Sequence, residues 1–398
     1  MKIPFGTISI TKSAKELINN ALDSGRVSGG KYVREFEKRF AELVGTKTAV
    51  AVSSGTAADT LSLAVLYDFG AKRGDEIILP ALSFVATGNA VLEAGFKPVF
   101  VDVERETLNI NPKKIEKVIT EKTKAILVVH LMGKAADMDA IKEIAKKHNL
   151  YVIEDAAEAY GGEYKRKNVG TLGDMAAFST YVAHLVSTIE GGVITTDNSD
   201  FAEILRSLRS HGRACKCEVC TLNIKGGYCP KRFQYGEDIR FLFERIGFSS
   251  KMNELEAAVG ISNLDIYNEI FGKRRKNLLS LMEKFEKFKP YLTTIKEEKD
   301  EKIGPHAFPI IIQEEAPFKR RELVDYLEKN EIETRHLFSS MPTQCKGFSF
   351  LGYKLGDFPE AEYIGSNGLH IGVHQDLNEE HINYFIEKVN EFLSIYVK

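Results

Sequence analysis

Seven short apolar runs set the limits on how this chain can fold. They are TAVAV (48–52), EIILPA (76–81), PVFVDV (98–103), KAILVV (124–129), LYVIED (150–155), AAFSTY (176–181) and GVITTD (192–197). Each is rich in Val, Ile or aromatic residues and none alternates strictly. That is the signature of strands buried on both faces of a largely parallel sheet. Helical patterns lie between them. GKYVREFEKRFAELVG places Val33, Phe36, Phe40 and Leu43 on one face, and residues 137–148 turn Ile141, Ile144 and Ala145 inward. Strand–helix alternation of this kind predicts a layered α/β domain with right-handed crossovers.

The texture changes after residue 265. IYNEIFGKRRKNLLSLMEKFEKF reads as one long amphipathic connector helix. HAFPIIIQ then reads as a strand, FKRRELVDYLEKN as a helix, and a further strand leads to a last helix, EEHINYFIEKVNEFLSIYV. The expected architecture is a large α/β domain over 1–265, with a cysteine-rich loop at 211–232, and a connector helix plus a small α+β domain over 266–398. A chain of 398 residues is long for one core and comfortable for two. The KEEKDEK run at 296–302 reads as a solvated turn. A net charge of −2 gives no electrostatic case for nucleic acid or an anionic membrane. The first twenty residues lack the apolar core of a signal peptide, and no run approaches the roughly 20 apolar residues of a membrane span. The expectation is a cytoplasmic enzyme with reduced thiols.

Candidate site residues gather where strands end. TAVAV runs into SSGTAADTLSLAVL, so Ser54, Gly55 and Thr56 sit at a strand-to-helix turn. Backbone N–H groups there suit a phosphate, and a plain Ser/Thr N-cap is the competing reading. Phe84, after the second run, suits a cover for a planar ring or a core position. Asp155 ends a strand, either as an N-cap or as partner to a buried cation. Ser179 lies within reach of the same phosphate, and His184 falls where a reactive side chain would meet a ring.

Four of the five cysteines, Cys215, Cys217, Cys220 and Cys229, lie within CKCEVCTLNIKGGYC. Four soft thiolates are the usual complement of an iron–sulfur cluster or a structural zinc. Zinc favours paired C-x2-4-C knuckles, and C-x-C is less usual for it.

SSGTAA, EDAA, GD…FS and EGGV with trailing threonines, in that order, together with HLMGKAADMD, resemble the DegT/DnrJ/EryC1/StrS sugar aminotransferase family of fold-type-I pyridoxal-phosphate enzymes. The resemblance implies a mixed, mostly parallel sheet flanked by helices, a smaller C-terminal domain and a homodimer. It implies a pyridoxal or pyridoxamine phosphate held by Ser54, Gly55, Thr56, Phe84, Asp155, Glu158 and Ser179. Most of that family carries a lysine where His184 stands, and imidazole cannot form its Schiff base stably. His184 therefore resembles the branch that removes the C3 hydroxyl of nucleotide-linked 4-keto-6-deoxy sugars, with pyridoxamine phosphate held non-covalently and His184 as base. ETRHLF, followed by Gln344 and Phe348, resembles that branch's text near the substrate and carries over Arg335; an ordinary surface ion pair is the competing reading.

HGRACKC and CPKRF resemble the iron–sulfur type of that branch. This implies a cluster, most simply 2Fe-2S, and a reductase partner. Three departures matter. Ala156-Ala157 stands where a cluster thiol is expected, Glu158 replaces a usual glutamine, and Ser249 replaces an asparagine that reaches the neighbouring subunit. Three alternatives stay open: a nucleotide-sugar aminotransferase, a glutamate-dependent 3-dehydratase with a structural zinc loop, and a non-catalytic binding protein with a degenerate fold.

Overall fold

In the computed structural model, which describes residues 1–215, 217 and 227–396, the seven runs become seven strands of one sheet. Their order across it is Thr48–Val52, Gly192–Thr196, Met175–Ser179, Tyr151–Asp155, Thr123–Val129, Glu76–Pro80, Lys97–Val101. Gly192–Thr196 runs antiparallel to both neighbours, and the remaining pairings are parallel. Central strands such as Glu76–Pro80 and Met175–Ser179 are buried at every position. That burial on both faces is why their sequences do not alternate.

Helices cover the two faces. Lys31–Val44 buries Val33, Phe36 and Phe40, with Leu43 only partly covered. Met138–His148 starts on Asp137, whose carboxylate accepts the Ala140 N–H at 3.3 Å, and buries Ile141 and Ala145. The connector is the helix Tyr267–Phe285. Beyond it a second sheet runs in the order Leu292–Thr293, Ala307–Ile312, Gly368–Gly372, Thr334–His336, and Arg320–Lys329 and Glu379–Tyr396 are its helices.

Two features differ from the sequence reading. Ile3 bridges to Ile332, so the first residues of the chain lie along the C-terminal part. The charge run 296–302 is also more than a solvated turn. Lys134 Nζ donates to the Lys296 carbonyl at 2.8 Å and to Glu301 at 2.7 Å, in a pair whose side chains are largely buried. Arg166 pairs with Asp300, Lys302 with Glu163, and Arg275 with Glu297 at 2.6 Å. Opposite charges on neighbouring loops convert a polar run into a clasp, which composition alone cannot reveal. Among the described residues no helix is long and apolar enough to cross a membrane.

Candidate active site

A cavity of about 750 Å³ opens at the C-terminal ends of the parallel strands. In open α/β sheets that edge is where loops and helix starts can converge on a ligand. Ser54, Gly55, Thr56, Phe84, Asp155, Glu158, Ser179, His184 and Arg335 all line it. Nine positions between residues 54 and 335 thus meet in one place.

At one end, Ser54 caps the helix Gly55–Ala64, its hydroxyl accepting the Ala57 N–H at 3.0 Å. The capping reading therefore holds for Ser54. It coexists with a cradle, because the first N–H groups of a helix lack intrahelical partners. A Cβ on Gly55 would lie 2.7 Å from Ser179 Cβ, so only glycine lets this helix start approach the end of Met175–Ser179 so closely.

Asp155 forms the floor. Its Oδ2 accepts the Thr87 hydroxyl at 2.7 Å and its Oδ1 accepts the Ala157 N–H at 3.3 Å. Ser83 stands behind Thr87 at 2.8 Å. No ion pair reaches Asp155 among the described residues, and burial pushes its carboxyl up from the ordinary range. Beside it, buried Asp59 has an Oδ1 with no hydrogen-bond partner; burial first, then the Asp155 charge, push it well up. A buried carboxylate without a cation fits a protonated ring nitrogen.

His184 sits on the loop after Met175–Ser179, its N–H donating to the Tyr181 carbonyl at 2.9 Å. Its Nδ1 is buried and unpartnered. Burial, then the Arg274 charge, lower its pKa to about 4, so the imidazole is neutral and able to take a proton. Glu158 is held by the Met132 N–H at 2.8 Å, and burial chiefly pushes its carboxyl up to about 8. At neutral pH it carries a proton, which it can donate to one neighbour. Phe84 is 57% exposed and tilted 5.7 Å from Phe338, a ring at the cavity mouth rather than in the core. Arg335 stacks its guanidinium 4.9 Å above Phe5 and lies 3.9 Å from Glu333, a loose pair that leaves it exposed at the cavity wall.

Taken together, the glycine cradle, the uncompensated carboxylate and the neutral base fit a pyridoxal or pyridoxamine phosphate. Among the described residues no lysine lines the cavity.

Other residues that the sequence reading singled out do not line it. Gln344 is spent on structure: it accepts the Ser340 N–H at 2.9 Å and donates to the Glu362 carbonyl at 3.0 Å. Phe348 is buried against Gly88 and Phe100. Ser249 is exposed and bridges to Ser210. Cys215, Cys217 and Cys229 are free thiols away from the cavity, and Cys220 lies outside the described residues. Burial, then the adjacent Cys215, push the Cys217 thiol up, and Cys229 adds to the effect. Among the described residues no three side chains are arranged to hold a metal ion. Sequence reasoning missed Thr87, Asp59, His306 and Cys345, which also line the cavity. Thr87 lies in the stretch that carries Phe84, one helical turn on from it, and Asp59 in the stretch that carries Ser54, Gly55 and Thr56, so these two had a local signal and the other two had none.

A mixed seven-stranded sheet with this cavity at its strand ends defines a fold-type-I pyridoxal-phosphate enzyme. The chain belongs to the DegT/DnrJ/EryC1/StrS aminotransferase family, which it matches over residues 9–390. It is 33% identical to a dTDP-4-dehydro-2,6-dideoxy-D-glucose 3-dehydratase of Saccharopolyspora spinosa, over 98% of this chain and 86% of that one. It is 34% identical to a GDP-perosamine synthase of Escherichia coli O157:H7, over 98% and 99%. The structure of E. coli GDP-4-keto-6-deoxy-D-mannose-3-dehydratase with bound hydrated pyridoxal phosphate superposes with a TM-score of 0.86 at 31% identity, covering 98% of this chain and 99% of that one.

Proposed function

We propose that this chain is a coenzyme-B6-dependent 3-dehydratase of a nucleotide-linked 4-keto-6-deoxy sugar, with His184 as its base. The observation that carries this reading is a neutral, half-buried imidazole in a cavity with no lysine among its described lining residues. Pyridoxamine phosphate, when bound, supplies an amine for the sugar ketone and a protonated ring that spreads negative charge.

The chain's residues then have separate tasks. The N–H groups of Gly55 and Thr56, with Ser179, hold the phosphate. Asp155, steadied by Thr87, keeps the proton on the ring nitrogen. His184 takes a proton from the coenzyme's C4′ and returns one to the departing C3 hydroxyl, so that water leaves. Phe84 covers the ring, and Arg335 contacts the nucleotide sugar.

The four-thiolate composition of Cys215, Cys217, Cys220 and Cys229 suits an iron–sulfur cluster fed by a reductase, with structural zinc as the competing occupant. The exposed Tyr228, Phe233, Tyr235, Phe241 and Phe243 support a surface covered by a second copy in a homodimer. We also read the chain as dividing at about residue 265.

The test is product analysis with nucleotide-linked 4-keto-6-deoxy sugars, pyridoxamine phosphate and a reductant, alongside iron, sulfide and zinc assay. A 3-deoxy product is expected. An amino sugar formed from glutamate without loss of water would overturn the reading in favour of an aminotransferase, the activity in the name of the perosamine relative. A 3-deoxy product from colourless zinc protein with glutamate would leave the dehydratase and remove the cluster.

A further inference from the structure

His306 comes from the other sheet. It immediately precedes the strand Ala307–Ile312, yet it lines the cavity beside His184. The two imidazole rings lie 5.2 Å apart, tilted by 33°. Its Nε2 is 3.4 Å from Glu158 Oε1, and both side chains are about nine-tenths buried. That separation is long for a hydrogen bond and within what ligand-free sites tighten on binding.

Backbone contacts fix this approach. The Gly304 N–H donates to the Gly133 carbonyl at 2.8 Å, and the His306 N–H donates to the Gly304 carbonyl at 2.9 Å. Gly133 has φ +82°, and a Cβ there would sit 2.0 Å from the Gly304 carbonyl oxygen. Its neighbour Met132 supplies the N–H that holds Glu158 Oε2. One glycine contact therefore aligns both members of the pair.

We propose that His306 is a positioning residue for the coenzyme: reaching across from the second sheet, it accepts a hydrogen bond from the Glu158 carboxyl and turns the other Glu158 oxygen into an acceptor toward the B6 ring hydroxyl. This rests on the coenzyme reading above. Glu158 Oε2 already takes the Met132 N–H and has one lone pair left. The titratable groups facing His306 are Glu158, His184, His370 and Arg274. Burial first, then His184, His370 and Arg274, hold His306 far below its usual pKa, so its imidazole is neutral, and with the ring proton on Nδ1 its Nε2 is the acceptor for Glu158. A glutamine at position 158 would offer an N–H to the ring oxygen and favour its ionised form. The Glu158–His306 pair offers only an acceptor there and keeps the ring hydroxyl protonated.

The experiment is titration of wild type, His306→Phe, His306→Gln, Glu158→Gln and Glu158→Gln/His306→Phe with pyridoxamine phosphate. It follows both the dissociation constant and the pH at which the bound coenzyme's near-ultraviolet band changes. His306→Phe keeps the ring wall and loses Nε2; the band should change about one pH unit lower, with affinity down about tenfold, the scale of one hydrogen bond. His306→Gln should restore both, through its carbonyl acceptor. The double variant should match Glu158→Gln, because the two residues act as a unit. If His306→Phe does not fold, His306→Asn, too short to reach Glu158, should give the same loss. A wild-type band and affinity in both His306→Phe and His306→Asn, or additive effects in the double variant, would overturn the inference alone. Wild-type protein that takes up no pyridoxamine phosphate would overturn the coenzyme reading and this inference with it.

Discussion

The strand-end cavity and the cysteine segment are built on opposite plans. In the cavity, Gly55, Asp155 and His184 converge because separate strands stop at one edge of the large sheet, and Arg335 joins them from a strand of the second sheet. Backbone and hydroxyl donors fix them before any ligand arrives: Thr87 on Asp155, Met132 on Glu158, Ala57 on Ser54. In the cysteine segment the candidate ligands lie close in sequence, and Tyr228 (74% exposed) and Phe241 (68%) face outward around them. The cavity is preorganised by the fold, whereas the proposed metal site would depend on its occupant. Folded dipoles and buried groups position a ring, whereas thiols owe much of their arrangement to the metal that deprotonates and gathers them.

The largest expected effect strikes the preorganised side. Asp155→Asn removes the charge that holds the ring proton and should lower turnover by about 10³-fold, measured as sugar product per enzyme. Next is His184→Lys, which puts an amine in the cavity. With pyridoxal phosphate added, borohydride should then link the coenzyme to the chain, seen as a mass increase, while dehydration falls by about 10²- to 10⁴-fold. Unchanged turnover in that variant removes His184 from the chemistry.

Cys215→Ser with Cys229→Ser tests the independence of the two regions. Bound metal should be lost while pyridoxamine phosphate binds within about twofold of wild type, since no bond to the cavity is broken. Loss of both would mean that the segment braces the cavity.

A smaller effect is pH-dependent. Glu158 binds its proton more tightly folded than unfolded, with a value of about 8 against the ordinary 4.5. The folded state therefore holds more protons between those values, and stability falls as pH rises through that window and levels above 8. The slope is at most about 1.4 kcal/mol per pH unit, discounted for the solvent that still reaches the group. Glu158→Gln should flatten this limb in thermal unfolding of the coenzyme-free protein. Gly133→Ala should lower the melting temperature at every pH, because its Cβ must displace the Gly304 carbonyl.

The seven strands were legible because burial on both faces, complete in the central ones, writes itself into local composition. The cradle and Asp155 were legible because each sits where an apolar run stops. The resemblance to the family, carried by SSGTAA, EDAA and EGGV, added His184's place in the site. Gln344 and Phe348, which helped carry the resemblance around Arg335, pack into the protein, because nearness in sequence says nothing about which way a side chain turns. His306 had no local signal, for PHAF reads only as the start of a strand.

What the amino-acid sequence determined by itself was the order of elements, the strand-end chemistry and the substitution of imidazole for amine. Only the tertiary structure decided that Asp155 meets no ion-pair partner among the described residues, that Glu158 is a neutral acid and that a histidine beside the second sheet comes to meet it. The reason is physical: composition and periodicity are properties of neighbours along the chain, whereas burial, charge state and partnership are set by groups that meet only after the chain has closed on itself.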